Sequence, residues 1–160
     1  MTQDKRGHKI VVVAHCILNQ NSRVRGIAYY AGMINEIVDV IRKHEVGIIQ
    51  MPCPELIYAG LLRPSQTKEQ YDTLAFRRHC RQIASSTADQ VEEYVRNGLK
   101  VLAVLGVEGS PTCGVEPGSG ILIEELQSEL KKRKIEVSMK TVSPRYASQD
   151  VAWLEKILTR

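Results

Sequence analysis

A chain of 160 residues with 43% hydrophobic content is large enough to bury a real core, and residues 1–160 are expected to form one domain. No apolar run approaches the ~20 residues of a membrane span, and the start Met1-Thr2-Gln3-Asp4-Lys5-Arg6-Gly7 is short, polar and unlike a secretory signal. The formal charge of +4 is mild; it suits an anionic small molecule or weak RNA contact, and most often signals neither.

The first strand is expected over 9–14, β-branched and apolar throughout, as a strand buried on both faces should be. A polar loop with Asn19, Asn21, Ser22 and Arg23 follows. The spacing then predicts a helix over 30–44, with Met33, Ile34, Ile37, Val38 and Ile41 on one stripe. A second strand over 47–51 is stopped by Pro52 and Pro54. After the loop 63–67, in which Ser65 or Thr67 is a candidate cap, a helical pattern runs over 68–97 to its stop signal at Gly98. The patch Ser85-Ser86-Thr87 is the expected place for a bend or break in it. A third strand over 99–107 leads into a Gly/Ser/Pro loop over 108–120. A helix over 121–134, a fourth strand over 135–142 and a short helix over 148–158 complete the chain.

This alternation predicts a three-layer α/β fold with a mostly parallel four-stranded sheet and right-handed crossovers. Strand order 2-1-3-4 places a crevice between strands one and three, at the carboxyl edge where ligands bind in such sheets.

Three of the four cysteines sit just past that edge. Cys16 follows the first strand, Cys53 the second, and Cys113 lies in the loop after the third. Three thiolates meeting there suit a soft metal centre, an iron–sulfur cluster or zinc, with one metal position left open. A reducing cytoplasm is the expected compartment, where cysteines serve as ligands or catalysts more than as disulfides. Cys80, within Arg77-Arg78-His79-Cys80-Arg81, lies inside a helix and reads as core packing. Glu55, two residues past Cys53, is a candidate acid/base. Ser110, three residues before Cys113, is a candidate to hold substrate or water, or a turn former. Gly118-Ser119-Gly120 opens a helix whose free N–H groups offer a weak anion site. Arg23 and Arg25 are candidate anion partners. His15 is expected to turn away by alternation. The arginines around Cys80 and the run Lys131-Lys132-Arg133-Lys134 read as solvated faces.

The motifs resemble those of a known family, the DUF523 or TudS-like thiouracil desulfidases. Ala14-His15-Cys16-Ile17-Leu18-Asn19 resembles its A-C-L-L-G opening. Pro52-Cys53-Pro54-Glu55 followed by Gly60-Leu61 resembles V-C-P-E…G-G-L, and Ser110-Pro111-Thr112-Cys113-Gly114 resembles S-P-S-C-G. The resemblance implies a Rossmann-like fold carrying a [4Fe-4S] cluster on Cys16, Cys53 and Cys113. It also implies a fourth iron without a protein ligand, which takes the sulfur of a thiolated base such as 2-thiouracil, and catalytic roles for Glu55 and Ser110. The chain departs from the family pattern at Ser22-Arg23-Val24-Arg25-Gly26, in place of C-R-Y-D-G, and at Leu61-Leu62-Arg63-Pro64, where T-P-R is usual. The loop after Cys113 is also short, and these departures fall on the expected pocket wall. Two rival readings use the same thiolates: a zinc- or iron-bound hydrolase, and a metal- or nucleotide-sensing module without turnover.

Overall fold

The structure is a computed structural model and describes residues 3–160; Met1 and Thr2, part of the N-terminal reading above, lie outside the described residues. Its elements are β1 (Lys9–Ala14), α1 (His15–Leu18), α2 (Asn35–Lys43), β2 (Gly47–Met51), α3 (Pro54–Ala59), α4 (Lys68–Tyr71), α5 (Leu74–Arg96), β3 (Lys100–Val107), α6 (Ile121–Lys132), β4 (Ser138–Val142) and α7 (Val151–Leu158). Short 3₁₀ turns at Gln20–Ser22 and Pro144–Asp150 join them.

The sheet order is β2-β1-β3-β4, and every neighbouring pair is parallel, as the alternation predicts. The chain therefore reverses its direction of travel across the sheet at β1. Such a reversal sends the crossovers to opposite faces. Helix α5 accordingly packs along α6, and α2 along α7. With a layer on each side, Val11, Val12 and Val13 of β1 are all fully buried. Burying each valine stabilises the fold by on the order of 1.5–3 kcal/mol relative to exposure.

The helices depart from expectation in instructive ways. The first long helix begins at Asn35, not at residue 30. Ile34, the residue just before it, is extended, and its N–H donates to the Ile17 carbonyl at 2.9 Å. Met33, expected on the apolar stripe, is exposed. The pattern over 68–97 is two helices, broken at Asp72-Thr73 and not at the serine patch. Thr67 closes a capping box with Gln70 on α4, and the Thr73 hydroxyl accepts from the Phe76 N–H on α5. Inside α5 the Thr87 hydroxyl donates back to the Ile83 carbonyl at 2.8 Å, so the patch is accommodated within the helix. Helix α3 was not expected at all. Strand β4 starts at Ser138 rather than 135, because the Ile135 N–H turns back to the Leu130 carbonyl at 3.0 Å and closes the end of α6. The last helix starts at Val151 instead of 148.

Several side chains of the basic stretches are paired with carboxylates. Arg77 pairs with Asp72, Arg81 with Glu125, and Arg133 with Asp89, Glu92 and Glu129. Among the described residues no helix is long and apolar enough to cross a membrane.

Candidate active site

Strand register brings two of the cysteines level. Ala14 and Met51 are partners across β1 and β2, so Cys16 and Cys53 each overhang the same rung by two residues. Cys16 lies in the short helix α1. Its carbonyl accepts from the Gln20 side-chain amide at 2.8 Å, which ties the turn behind it. Cys53 caps α3: its sulfur accepts from the Leu56 N–H at 3.4 Å, and Pro54 takes the first helical position, where no N–H is required.

Cys113 arrives by a longer route. The loop after β3 folds back until the Cys113 carbonyl accepts from the Val107 N–H at 2.9 Å. Two close approaches depend on glycine. A Cβ at Gly106 would lie 2.1 Å from the Cys113 carbonyl oxygen, and one at Gly120 would lie 2.2 Å from the Thr112 carbonyl carbon. The first N–H groups of α6 then grip the loop: Ile121 donates to the Pro111 carbonyl, and Leu122 and Ile123 to that of Thr112. The anion site expected at Gly118-Ser119-Gly120 is therefore not available, because loop carbonyls already occupy those donors.

Cys16, Cys53, Cys113, Glu55 and Ser110 all line one cavity of about 60 Å³. His15, Ser22, Arg23, Val24, Arg63 and Thr112 also border it. Cys80 is fully buried in α5 and does not border it. Arg25 is exposed outside it. His15 turns its Nδ1 to the Gln50 side-chain oxygen at 2.5 Å.

Two residues of the cavity had no role in the expectation. Arg63 is almost wholly buried; it donates from Nε to Glu55 Oε1 at 3.3 Å and from Nη2 to the Ser22 carbonyl at 2.9 Å. The Thr112 hydroxyl donates to Glu55 Oε2 at 2.7 Å and lies 3.2 Å from the Ser110 hydroxyl. Ser110 in turn accepts from the Cys113 N–H at 2.9 Å, so the turn-forming reading of this serine is met as well. The Tyr71 hydroxyl is buried beside the Glu55–Arg63 pair with no partner at bonding geometry, and burial pushes it up to about 12. Arg63 stands where the segment departs from T-P-R, and its pairing with Glu55 spans only eight residues. Thr112, between Pro111 and Cys113, reaches a carboxylate 57 residues away, and nothing local announces that.

The electrostatics favour protonated thiols when no metal is bound. Burial raises Cys16 to about 11, opposed by the Arg23 charge and reinforced by Cys53 and Glu55. Burial also raises Cys53, opposed by the Leu56 N–H, and drives Cys113 well above the usual thiol range, helped by its two cysteine neighbours. A metal reverses this balance, since it deprotonates a coordinating thiol outright.

No group of three or more His, Cys, Asp or Glu side chains closes a single-ion cage among the described residues. The three thiols instead stand around the cavity wall. A polynuclear cluster needs thiolates on separate irons rather than around one ion, and sulfur-only donors of this kind suit it. One more feature fits a negatively charged guest. Arg23 Nη1 is buried in this wall without a hydrogen-bond partner. Buried charged groups are ordinarily paired, so this nitrogen lacks an acceptor.

Fold and cavity together define an α/β protein with a thiol-lined site at the carboxyl edge of a parallel sheet. Residues 8–135 match the family model described as “Putative 2-thiouracil desulfurase”, and the chain belongs to that family. It is 42% identical over 130 residues to the uncharacterized protein MJ0003 of Methanocaldococcus jannaschii, a match covering 81% of this chain and 83% of the relative. No solved structure matches the chain.

Proposed function

We propose that this protein is a desulfidase that exchanges the sulfur of a small thiocarbonyl heterocycle for oxygen, with a thiolated pyrimidine as the first substrate to test. The observation that carries the reading is the meeting of three thiols, a carboxylate and two hydroxyls at one cavity, in a member of a family described as 2-thiouracil desulfurases. Cys16, Cys53 and Cys113 are the residues to hold a [4Fe-4S] cluster, and the three-thiol donor set supports that fit. When bound, the cluster supplies a thiophilic, Lewis-acidic iron without a protein ligand.

The protein's own groups supply the rest. Water adds to the thiocarbonyl carbon and surrenders a proton toward Glu55, with Ser110 orienting it. Glu55 later returns that proton to sulfur as the C–S bond breaks, and the added oxygen gives up its remaining proton to close C=O, so that sulfur departs as hydrogen sulfide. The net change is C=S plus water to C=O plus hydrogen sulfide, with no net electron transfer. Arg63 fixes the carboxylate from behind, so one carboxyl oxygen is presented to the hydroxyl side. The wall residues Val24 and Ile27 give an apolar border against which a flat ring can lie.

The test is oxygen-free purification, followed by iron and sulfide analysis and then turnover on a panel of thiolated bases and nucleosides. Expected are iron and acid-labile sulfide in near-equal amounts, a brown colour, and sulfide release matched by the oxygenated product. Cluster-replete protein that binds these compounds and never exchanges sulfur for oxygen would overturn the desulfidase reading in favour of a sensing module. Bound zinc without iron would favour the hydrolase instead.

A further inference from the structure

A hydroxyl oxygen carries one proton, so each hydrogen-bond chain through hydroxyls has a direction. The Thr112 hydroxyl has three neighbours: Glu55 Oε2 at 2.7 Å, Ser110 Oγ at 3.2 Å and Cys113 Sγ at 3.6 Å. The carboxylate oxygen is the nearest acceptor and the one best placed to receive its proton. Thr112 then has nothing left to donate to Ser110, and the 3.2 Å contact is made by the Ser110 proton pointing at Thr112. The donors therefore run one way, from Ser110 to Thr112 to Glu55.

The two ends of this chain differ in environment. Thr112 is only 1% exposed, whereas Ser110 is partly exposed at the cavity. Ser110 Oγ accepts the Cys113 N–H at 2.9 Å and, at a long 3.3 Å, the Thr112 N–H. The second contact is weak enough to be exchanged for a water proton. Glu55 is covered on its other oxygen by Arg63 Nε. The order of these groups is therefore solvent-side hydroxyl, buried hydroxyl, carboxylate.

We infer that Thr112 is a positioning residue that relays protons between Ser110 and Glu55; the inference rests on the desulfidase reading above. Each hydroxyl passes on its own proton and receives the next. When water attacks, its O–H bond breaks toward Ser110 Oγ, the Ser110 proton moves to Thr112, and the Thr112 proton arrives at Glu55 Oε2. The electron pair of the broken O–H bond stays on the oxygen that forms the new bond to carbon. The C=S π pair moves to sulfur as the C–O bond forms. When the C–S bond breaks its pair stays on sulfur, and the remaining O–H pair of the added oxygen closes C=O. Sulfur leaves as hydrogen sulfide with that proton and the one returned by the chain run backwards, so nothing is oxidised or reduced.

Thr112→Val keeps the shape of the side chain and removes only the hydroxyl; Thr112→Ser keeps the hydroxyl. The first measurement needs no turnover. In cluster-free protein, the infrared carboxyl bands of Glu55, assigned by their loss in Glu55→Gln, should shift in Thr112→Val and return in Thr112→Ser. The second is made on cluster-replete protein of equal iron and sulfide content. Thr112→Val should lower kcat about 100-fold with KM within twofold, at the lower edge of general acid–base contributions. Thr112→Ser should restore kcat to within about threefold, since the proton path is rebuilt. Unmoved infrared bands would overturn the relay whatever the reaction proves to be. So would wild-type kcat in Thr112→Val, alongside an inactive Glu55→Gln; in that case the desulfidase reading would stand. If infrared shifts appear and wild-type protein turns over none of the panel, the hydrogen bond is real but the relay falls together with the desulfidase reading.

Discussion

The two walls of the cavity are built on different terms. On the Cys113 side nearly every polar group is already spent. The N-terminus of α6 holds the loop carbonyls, the Val107 N–H holds the Cys113 carbonyl, and Ser110 holds the Cys113 N–H. On the Cys16 side, Gln20 ties the turn by donating to the Cys16 carbonyl and accepting from the Tyr29 N–H, yet Arg23 Nη1 is left buried without a partner. Ile27, which borders the cavity, is exposed on this wall. The difference teaches where preorganisation ends. The first wall sets distances for chemistry, and the second waits for what it binds.

The sharpest way to break this comparison is to remove sulfur ligands one at a time. Cys16→Ser, Cys53→Ser and Cys113→Ser are each expected to lose the cluster and all turnover under oxygen-free conditions, whereas Cys80→Ser keeps both. Equal iron content in Cys80→Ser and Cys16→Ser would reject the ligand assignment. Next in size is Glu55→Gln, with an expected loss in kcat of about 10²–10⁴-fold. The same change strands Arg63, whose side chain is 3% exposed. Leaving one partner of a buried ion pair alone costs about 3–5 kcal/mol. The double variant Glu55→Gln/Arg63→Met should therefore regain much of the stability and none of the activity. Recovery of activity in the double variant would show that Glu55 serves only to neutralise Arg63.

The prebuilt wall makes a prediction of its own. Gly120→Ala forces a Cβ to 2.2 Å from the Thr112 carbonyl carbon, and backbone cannot move aside cheaply. A loss of about 3 kcal/mol is expected by chemical denaturation, at the upper end of overpacking costs. The loss should be accompanied by a weakened cluster, since Thr112 adjoins Cys113. A neutral Gly120→Ala would mean that the loop is not pinned by α6.

Protonation gives a smaller effect with a definite sign. Burial raises Cys16 from 9.0 to about 11, so the folded chain resists losing this proton while the unfolded chain does not. Its contribution is fully present below about pH 9 and lost as pH rises toward 11, an effect on the order of 2 kcal/mol. Cluster-free protein should therefore unfold more easily at pH 10.5 than at pH 8, and Cys16→Ser should flatten that slope. An unchanged slope in Cys16→Ser would show that this thiol is not buried in solution.

How much of this was legible in the sequence follows from the range of the interactions. Strands β1 and β2 have the expected limits because uninterrupted apolar runs between turn formers leave few alternatives. Those strand ends, with the strand order, place Cys16, Cys53 and Cys113 on one edge before any side chain is seen. Helix α3 was hidden because Pro54-Glu55-Leu56-Ile57-Tyr58-Ala59 is too short to show a period between two turn signals. The break at Asp72-Thr73 was hidden because a threonine cap, not glycine or proline, makes it. The supposed anion site was misread for a related reason: a free helix N-terminus and one filled by a neighbouring loop have the same local sequence. Thr112 and Arg63 were missed because their importance lies in what they touch across the fold.

The smallest expected effect bears most directly on the unfinished wall. Arg23 and Arg25 stand two residues apart and look alike in sequence, but only Arg23 borders the cavity, and only Arg23 has a buried nitrogen lacking an acceptor. A hydrogen bond from a charged donor to a bound acceptor contributes about 1.5–3 kcal/mol. Arg23→Gln should therefore raise KM for the thiolated substrate about tenfold or more, with kcat nearly unchanged, because the contact exists before and after attack. Arg25→Gln should change neither. Iron content must be measured alongside. If Arg23→Gln loses iron at unchanged KM, the guanidinium balances the charge of the cluster and not that of the substrate. If it behaves as wild type in both respects, the Cys16 wall is as complete as the Cys113 wall, and the contrast between them is lost.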